Sequence, residues 1–167
     1  MAETQTIYDF SDPRAAAGWM AINDAVMGGV SSGGMRATGE GTVVFSGIVS
    51  LENNGGFASL RSRPQQRHLG DSAGIEIRIR GDGRRYKLNL WTDAYLDGVS
   101  YRVAFETSGE GWQTLRFPFS DFQASFRGRA VPDAPALDPA KIASIGFLIS
   151  DRQAGPFHLE ISRIDAY

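Results

Sequence analysis

Apolar and polar residues alternate with a period of two in several short stretches of the chain. Ile75, Ile77 and Ile79 alternate with Glu76, Arg78 and Arg80, and Tyr86, Leu88 and Leu90 with Lys87 and Asn89. Tyr101, Val103 and Phe105 alternate with Arg102 and Glu106, and Phe157, Leu159 and Ile161 with His158, Glu160 and Ser162. Successive side chains of an extended chain point to opposite faces, so each stretch predicts a strand with one buried face. Segments 6–10, 43–51, 57–63, 112–117 and 144–150 add further strands, roughly nine in all. Short strands at this spacing predict an all-β antiparallel sandwich or barrel.

The connections carry the punctuation such a fold needs. Gly81-Asp82-Gly83 and Gly109-Glu110-Gly111 each stand between alternating runs and predict tight hairpin turns joining antiparallel neighbours. Helix is scarce. Asp138 before Pro139 predicts one short turn, and segment 13–19 a second. Segment 123–137, with Pro132 and Pro135, reads as a long irregular crossing between sheets. No repeat or composition break divides the 167 residues, so the expectation is a single domain over 1–167.

Composition narrows the function. Acidic and basic residues nearly balance, at a formal net charge of −2, which argues against nucleic-acid binding. The chain has no cysteine, so disulfides, thiolate metal sites and a cysteine nucleophile are excluded. His68 and His158 are far apart and form no metal-ligand spacing. No apolar run approaches the roughly 20 residues needed to cross a bilayer. The N-terminal stretch has neither signal-peptide nor presequence character, and the expectation is a cytoplasmic protein without cofactor, metal or catalytic residues.

Two stretches combine short polar side chains with a double glycine. One holds Asn23, Asp24, Met27, Gly28, Gly29 and Ser31; the other holds Asn53, Asn54, Gly55, Gly56, Ser59 and Arg61. Paired glycines let the backbone approach another group closely. Two readings stand: a ligand rim of exposed amides, or two turns, since Asn-Gly is itself a turn signal. Asp24 and Glu52 are the carboxylates available for acid–base work or Ca²⁺, but neither sits in a recognised ligand loop. The glycine-rich run after Met27 lacks the lysine of a phosphate loop. Alternation also turns Asn89, Trp91, Arg78, Arg80, Arg102, Arg116 and Arg61 away from the core. An outward tryptophan beside arginines and an amide suits stacking on a sugar or anchoring a protein; the competing reading covers Trp91 with a loop.

The stretch Asn23-Asp24-Ala25-Val26-Met27-Gly28-Gly29-Val30-Ser31 resembles the signature opening of the complex I intermediate-associated protein 30 family. The resemblance continues through Phe45-Ser46-Gly47, Ser50-Leu51-Glu52-Asn53-Asn54-Gly55-Gly56-Phe57-Ala58-Ser59, Gly81-Asp82-Gly83, Tyr86-Lys87-Leu88-Asn89-Leu90, Tyr101 and Phe105-Glu106-Thr107. It runs on through Trp112, Pro118-Phe119, Phe126-Arg127-Gly128-Arg129, Ser144-Ile145-Gly146 and Phe157-His158-Leu159-Glu160-Ile161. It implies a jelly roll like that of galactose-binding domains, in a free-standing bacterial-type member. It also implies kinship with mitochondrial factors that help assemble respiratory complex I, and supplies no catalytic residue. The expected function is a non-catalytic binding module for a protein partner, as an assembly factor or chaperone. The alternative is a carbohydrate-binding module taking a small sugar.

Overall fold

The computed structural model describes residues 4–23, 32–52, 56–92, 98–126 and 129–167. Among them the chain forms β1 (Gln5–Asp9), β2 (Met20–Asn23), β3 (Ser32–Ala37), β4 (Val43–Val49), β5 (Ala58–Arg61), β6 (Gly74–Arg80) and β7 (Arg85–Trp91). β8 (Ser100–Glu106), β9 (Gln113–Pro118), β10 (Gln123–Phe126), β11 (Arg129–Ala130), β12 (Ser144–Ile149) and β13 (Gly155–Ala166) follow. One sheet has the order β3-β4-β13-β6-β9, with β1 also paired to β13; the other runs β11-β10-β8-β7-β12-β5-β2. Every pairing is antiparallel.

The alternating residues do what their period requires. Ile75, Ile77, Ile79, Leu159 and Ile161 of one sheet, and Leu60, Leu88, Leu90, Ile145 and Phe147 of the other, are buried in one core. Phe105 of β8 and Phe117 of β9 join the two layers, ring centroids 5.8 Å apart. The two short turns also form, as 3-10 segments Pro13–Ala16 and Pro139–Lys141, capped by the carboxylates of Asp12 and Asp138.

Two expectations about connections need correction. β6 and β7 lie in different sheets, as do β8 and β9. Gly81-Asp82-Gly83 and Gly109-Glu110-Gly111 are therefore corners between layers, not hairpins. The first corner is built around a carboxylate. Asp82 accepts hydrogen bonds from the Tyr86 hydroxyl (3.0 Å to each oxygen), the His158 N–H (2.8 Å) and the Arg84 N–H (3.1 Å). A Cβ on Gly81 would stand 2.2 Å from Cβ of Thr107, and the Thr107 hydroxyl holds the Gly83 N–H and the Arg84 carbonyl. Gly81 thus answers to a close approach between layers, whereas Gly83, at φ 87°, answers to the left-handed backbone of the corner. Segment 123–137, expected to be irregular, contains β10 and β11, which extend the seven-stranded sheet beyond β8. β2 and β3 were also hidden: one falls in the first glycine-bearing stretch, and the other (Ser-Gly-Gly-Met-Arg-Ala) lacks β-formers.

The outer face of the six-stranded sheet is a charged lattice. Glu160 accepts from Thr42 Oγ1 (2.6 Å) and from Arg80 Nε and Nη2 (3.2 and 2.6 Å). Burial pushes the Glu160 carboxyl up, but the Thr42 hydroxyl, Arg80 and nearby His158 outweigh it and hold the group below its ordinary value. Because the folded value lies below the unfolded one, this contribution is complete at neutral pH. It is lost as pH falls through the ordinary glutamate range. Glu160→Gln is expected to destabilise by about 1–2 kcal/mol at pH 7 and to show a shallower decline in stability on acidification, measured by urea unfolding between pH 3 and 7.

Candidate functional site

Register, not sequence proximity, assembles the site. In the seven-stranded sheet Met20 pairs with Arg61, Arg61 with Gly146, Gly146 with Asn89, Asn89 with Arg102, and Arg102 with Gln123. Their chain neighbours Leu60, Ile145, Leu90 and Tyr101 face the core, so this row lies on the sheet's outer face. Flanking rows carry Ser144, Trp91 and Ser100 on one side, and Ser59, Leu148, Lys87 and Ala104 on the other.

For an outer face this surface is withdrawn from water. Arg61 is 2% exposed, Asn89 3%, Ser144 0% and Leu148 8%. The Arg61 guanidinium carbon sits 4.0 Å from the centroid of the Trp91 ring, over its face. That ring leans across Gly146: a Cβ at 146 would stand 2.9 Å from ring carbon Cζ3 and 2.2 Å from the Leu60 carbonyl oxygen. Only glycine leaves room for the tryptophan to lie there. Gly146→Val is expected to lower stability by about 2–4 kcal/mol through this overpacking and to change the Trp91 contribution to fluorescence. Gly34→Ala, with nothing within 4 Å of the added Cβ, serves as the neutral comparison.

Several polar atoms on this face are buried without hydrogen-bond partners among the described residues: Asn89 Oδ1, Arg102 Nε and Ser144 Oγ. Lys87 is already engaged by Asp151 at 3.1 Å. Arg102 is half-buried. Desolvation pulls its pKa below the ordinary arginine value, partly opposed by the Asp151 charge. Each orphaned buried group costs about 1–3 kcal/mol.

The sequence-based candidates divide accordingly. Ser59, Arg61, Asn89, Trp91 and Arg102 share this face; Ser59 Oγ donates to the Ile22 carbonyl at 2.6 Å. Arg78, Arg80 and Arg116, also expected outward, belong to the opposite layer. Trp91 is half-buried, between the two readings offered for it. Asn23 ends β2, where it pairs with Ala58, and Gly56 takes φ 136° beside Leu51. Asp24, Met27, Gly28, Gly29, Ser31, Asn53, Asn54 and Gly55 lie outside the described residues. Among the described strands, β2 and β3 are in different sheets, as are β4 and β5, while β2 pairs with β5 and β3 with β4. Glu52 is exposed. Among the described residues no group of three or more His, Asp or Glu stands close enough to hold a metal.

Sequence reasoning missed Ser144 and Gly146 as parts of the face. Their signal was present, since both alternate with Ile145 and Phe147, but a fully buried strand with small outer residues reads as a plain apolar run.

The family model described as "Complex I intermediate-associated protein 30 (CIA30)" matches residues 8–161. The chain is 27% identical to the mitochondrial complex I intermediate-associated protein 30 of Drosophila melanogaster, over 97% of this chain and 62% of that protein. It is 28% identical to that of Mus musculus, over 100% of this chain and 57% of that protein. It thus spans about three fifths of these relatives' length. Among solved structures it resembles the family 11 carbohydrate-binding module of Clostridium thermocellum in complex with a β-1,3-1,4-mixed-linked tetrasaccharide. That match has TM-score 0.73 at 17% identity, covering 99% of this chain and 96% of that one, and it shows the β-sandwich fold alone. With nearly its whole length matched, the chain belongs to the complex I intermediate-associated protein 30 family.

Proposed function

We propose that this domain is a non-catalytic binding module that presents the outer face of its seven-stranded sheet to a protein partner, in the manner of an assembly factor for a multisubunit complex. The observation that carries the reading is the set of buried, unpartnered polar atoms on that one face: Asn89 Oδ1, Arg102 Nε and Ser144 Oγ. They sit beside half-buried Trp91 and buried Leu148, a mixture of aromatic, arginine and apolar surface that suits a protein interface. The relatives' names, which speak of association with complex I intermediates, favour a protein over a free small molecule.

The exposed ends of the row, Met20 and Gln123, allow a test that leaves the core alone. Tagged protein expressed in its native host is expected to co-purify a subunit of a multisubunit complex. Met20→Glu combined with Gln123→Arg is expected to reduce recovery at least tenfold, while Arg78→Glu on the opposite layer leaves it unchanged. Equal recovery from all three proteins would count against the reading.

A saccharide ligand is the second reading, favoured by the solved module seen with a tetrasaccharide and by Trp91 on the face. Against it stands the Arg61 guanidinium over the Trp91 ring, which occupies a surface a sugar would need for stacking. Titration with the mixed-linked tetrasaccharide at millimolar concentration is expected to leave tryptophan fluorescence unchanged.

A further inference from the structure

The charges on the outer face of the seven-stranded sheet do not balance locally. Lys87 is matched by Asp151 at 3.1 Å, and the Arg61 guanidinium is engaged on the Trp91 ring. Arg102 makes no ion pair among the described residues, and its Nε is buried without a hydrogen-bond partner. Asn89, its direct cross-strand neighbour, has a buried amide oxygen without a partner. Directly opposed residues hold their Cβ atoms about 4.5–5.5 Å apart, so an unmatched cation and an unmatched amide stand side by side.

The chemistry that completes this pair is specific. A guanidinium is a planar fork of donors that fits a carboxylate through two parallel N–H···O bonds. A buried amide oxygen needs a donor, which a peptide N–H supplies, while the amide NH₂ faces a peptide carbonyl. One unmatched cation calls for one negative charge. A phosphate, with nearly two charges at neutral pH, would bring surplus charge to a single guanidinium. We propose that Arg102 and Asn89 form a docking point for a single acidic side chain of a protein partner, Arg102 taking the carboxylate and Asn89 the adjoining peptide group. This rests on the reading of the face as a protein-contact surface, and names the chemistry of the segment that lands there.

The test uses the intact ¹⁵N-labelled chain and three probes: a capped hexapeptide containing one glutamate, the same peptide with glutamine in its place, and a glucuronic-acid disaccharide. The Arg102 Nε–H and Asn89 amide signals are followed during titration. The glutamate peptide is expected to shift both signals saturably and to bind at least about tenfold more tightly than the glutamine peptide, as loss of a charge-assisted pair requires. Arg102→Gln is expected to abolish the preference, and Arg78→Gln to retain it. The preference is read on the wild-type chain, so it stands even if Arg102→Gln fails to fold. Equal shifts from the glutamate and glutamine peptides would overturn the carboxylate assignment while leaving the face as a peptide-binding surface. No shift from either peptide, or tighter binding of the glucuronic-acid disaccharide, would overturn the docking point. The face reading would then be judged separately by the capture experiment with the Met20 and Gln123 variants.

Discussion

Arg67→Ala is expected to destabilise the domain by about 3–5 kcal/mol, measured by urea unfolding followed through tryptophan fluorescence. Arg67 is 6% exposed, and its partners are neutral oxygens. Nε donates to the Ala143 carbonyl (2.9 Å), and Nη2 to the Tyr8 hydroxyl (2.8 Å), Ser62 Oγ (3.0 Å) and the Arg63 carbonyl (3.3 Å). The guanidinium also stacks near the Tyr8 ring, 5.1 Å from its centroid. Its backbone carbonyl accepts from Gln5 Nε2. One side chain thus ties β1, the segment after β5 and the entry to β12. Truncation would leave several of these oxygens without donors and open a cavity. Arg67→Lys keeps the charge, yet a single ammonium has neither the fork nor the spread to reach partners on three segments. It is expected to recover less than half of the loss.

The second large effect is at the first corner between layers. Asp82→Ala is expected to lower stability by about 2–4 kcal/mol, less than loss of a fully buried carboxylate would, since the side chain is 21% exposed. The loss falls mainly on Tyr86, 1% exposed, whose hydroxyl donates to both carboxylate oxygens. Burial first, and then the Asp82 charge, pushes the Tyr86 phenol far above the ordinary tyrosine range. The phenol therefore keeps its proton at neutral pH and stays a donor to Asp82. Tyr86→Phe removes that donor together with its need for a partner, so the double substitution is expected to be clearly less damaging than the sum of the two singles. Strict additivity would show that the corner does not work through this pair.

The strands of the core were legible because alternation is a local signal. Ile75 to Arg80 and Tyr86 to Leu90 announce their buried faces residue by residue, and the structure places those faces as expected. Which strands pair was not legible, because sheet partnership depends on contacts distant in sequence. Gly81-Asp82-Gly83 has the composition of a hairpin turn, but its aspartate is committed to His158 on β13, 76 residues away, and the strands on either side separate into different layers. β10 escaped notice for a related reason: its four residues are too few to display a period, and prolines follow.

The candidate site divides along the same line. Alternation alone turned Asn89, Trp91 and Arg102 outward, and register then brought Arg61 and Ser59 to the same face. Sequence could not reveal that Trp91 lies over Gly146 or that Arg102 makes no ion pair among the described residues, since both depend on neighbours supplied by other strands. The arginines Arg78 and Arg116 looked equivalent to Arg102 in sequence. In the structure Arg78 meets Thr114 and the Trp112 ring, and Arg116 meets Glu76 and the Tyr167 ring. Satisfaction by neighbours separates Arg78 and Arg116 from Arg102.

The most direct test of the binding face is site-specific photo-crosslinking in the native host. A photoreactive residue at Met20 or Gln123, the two exposed ends of the row that runs through Arg61, Gly146, Asn89 and Arg102, should yield one discrete adduct with the same partner protein from both positions, and none from Arg78 on the opposite layer. Adducts from Arg78 alone, or equal labelling from every position, would contradict it.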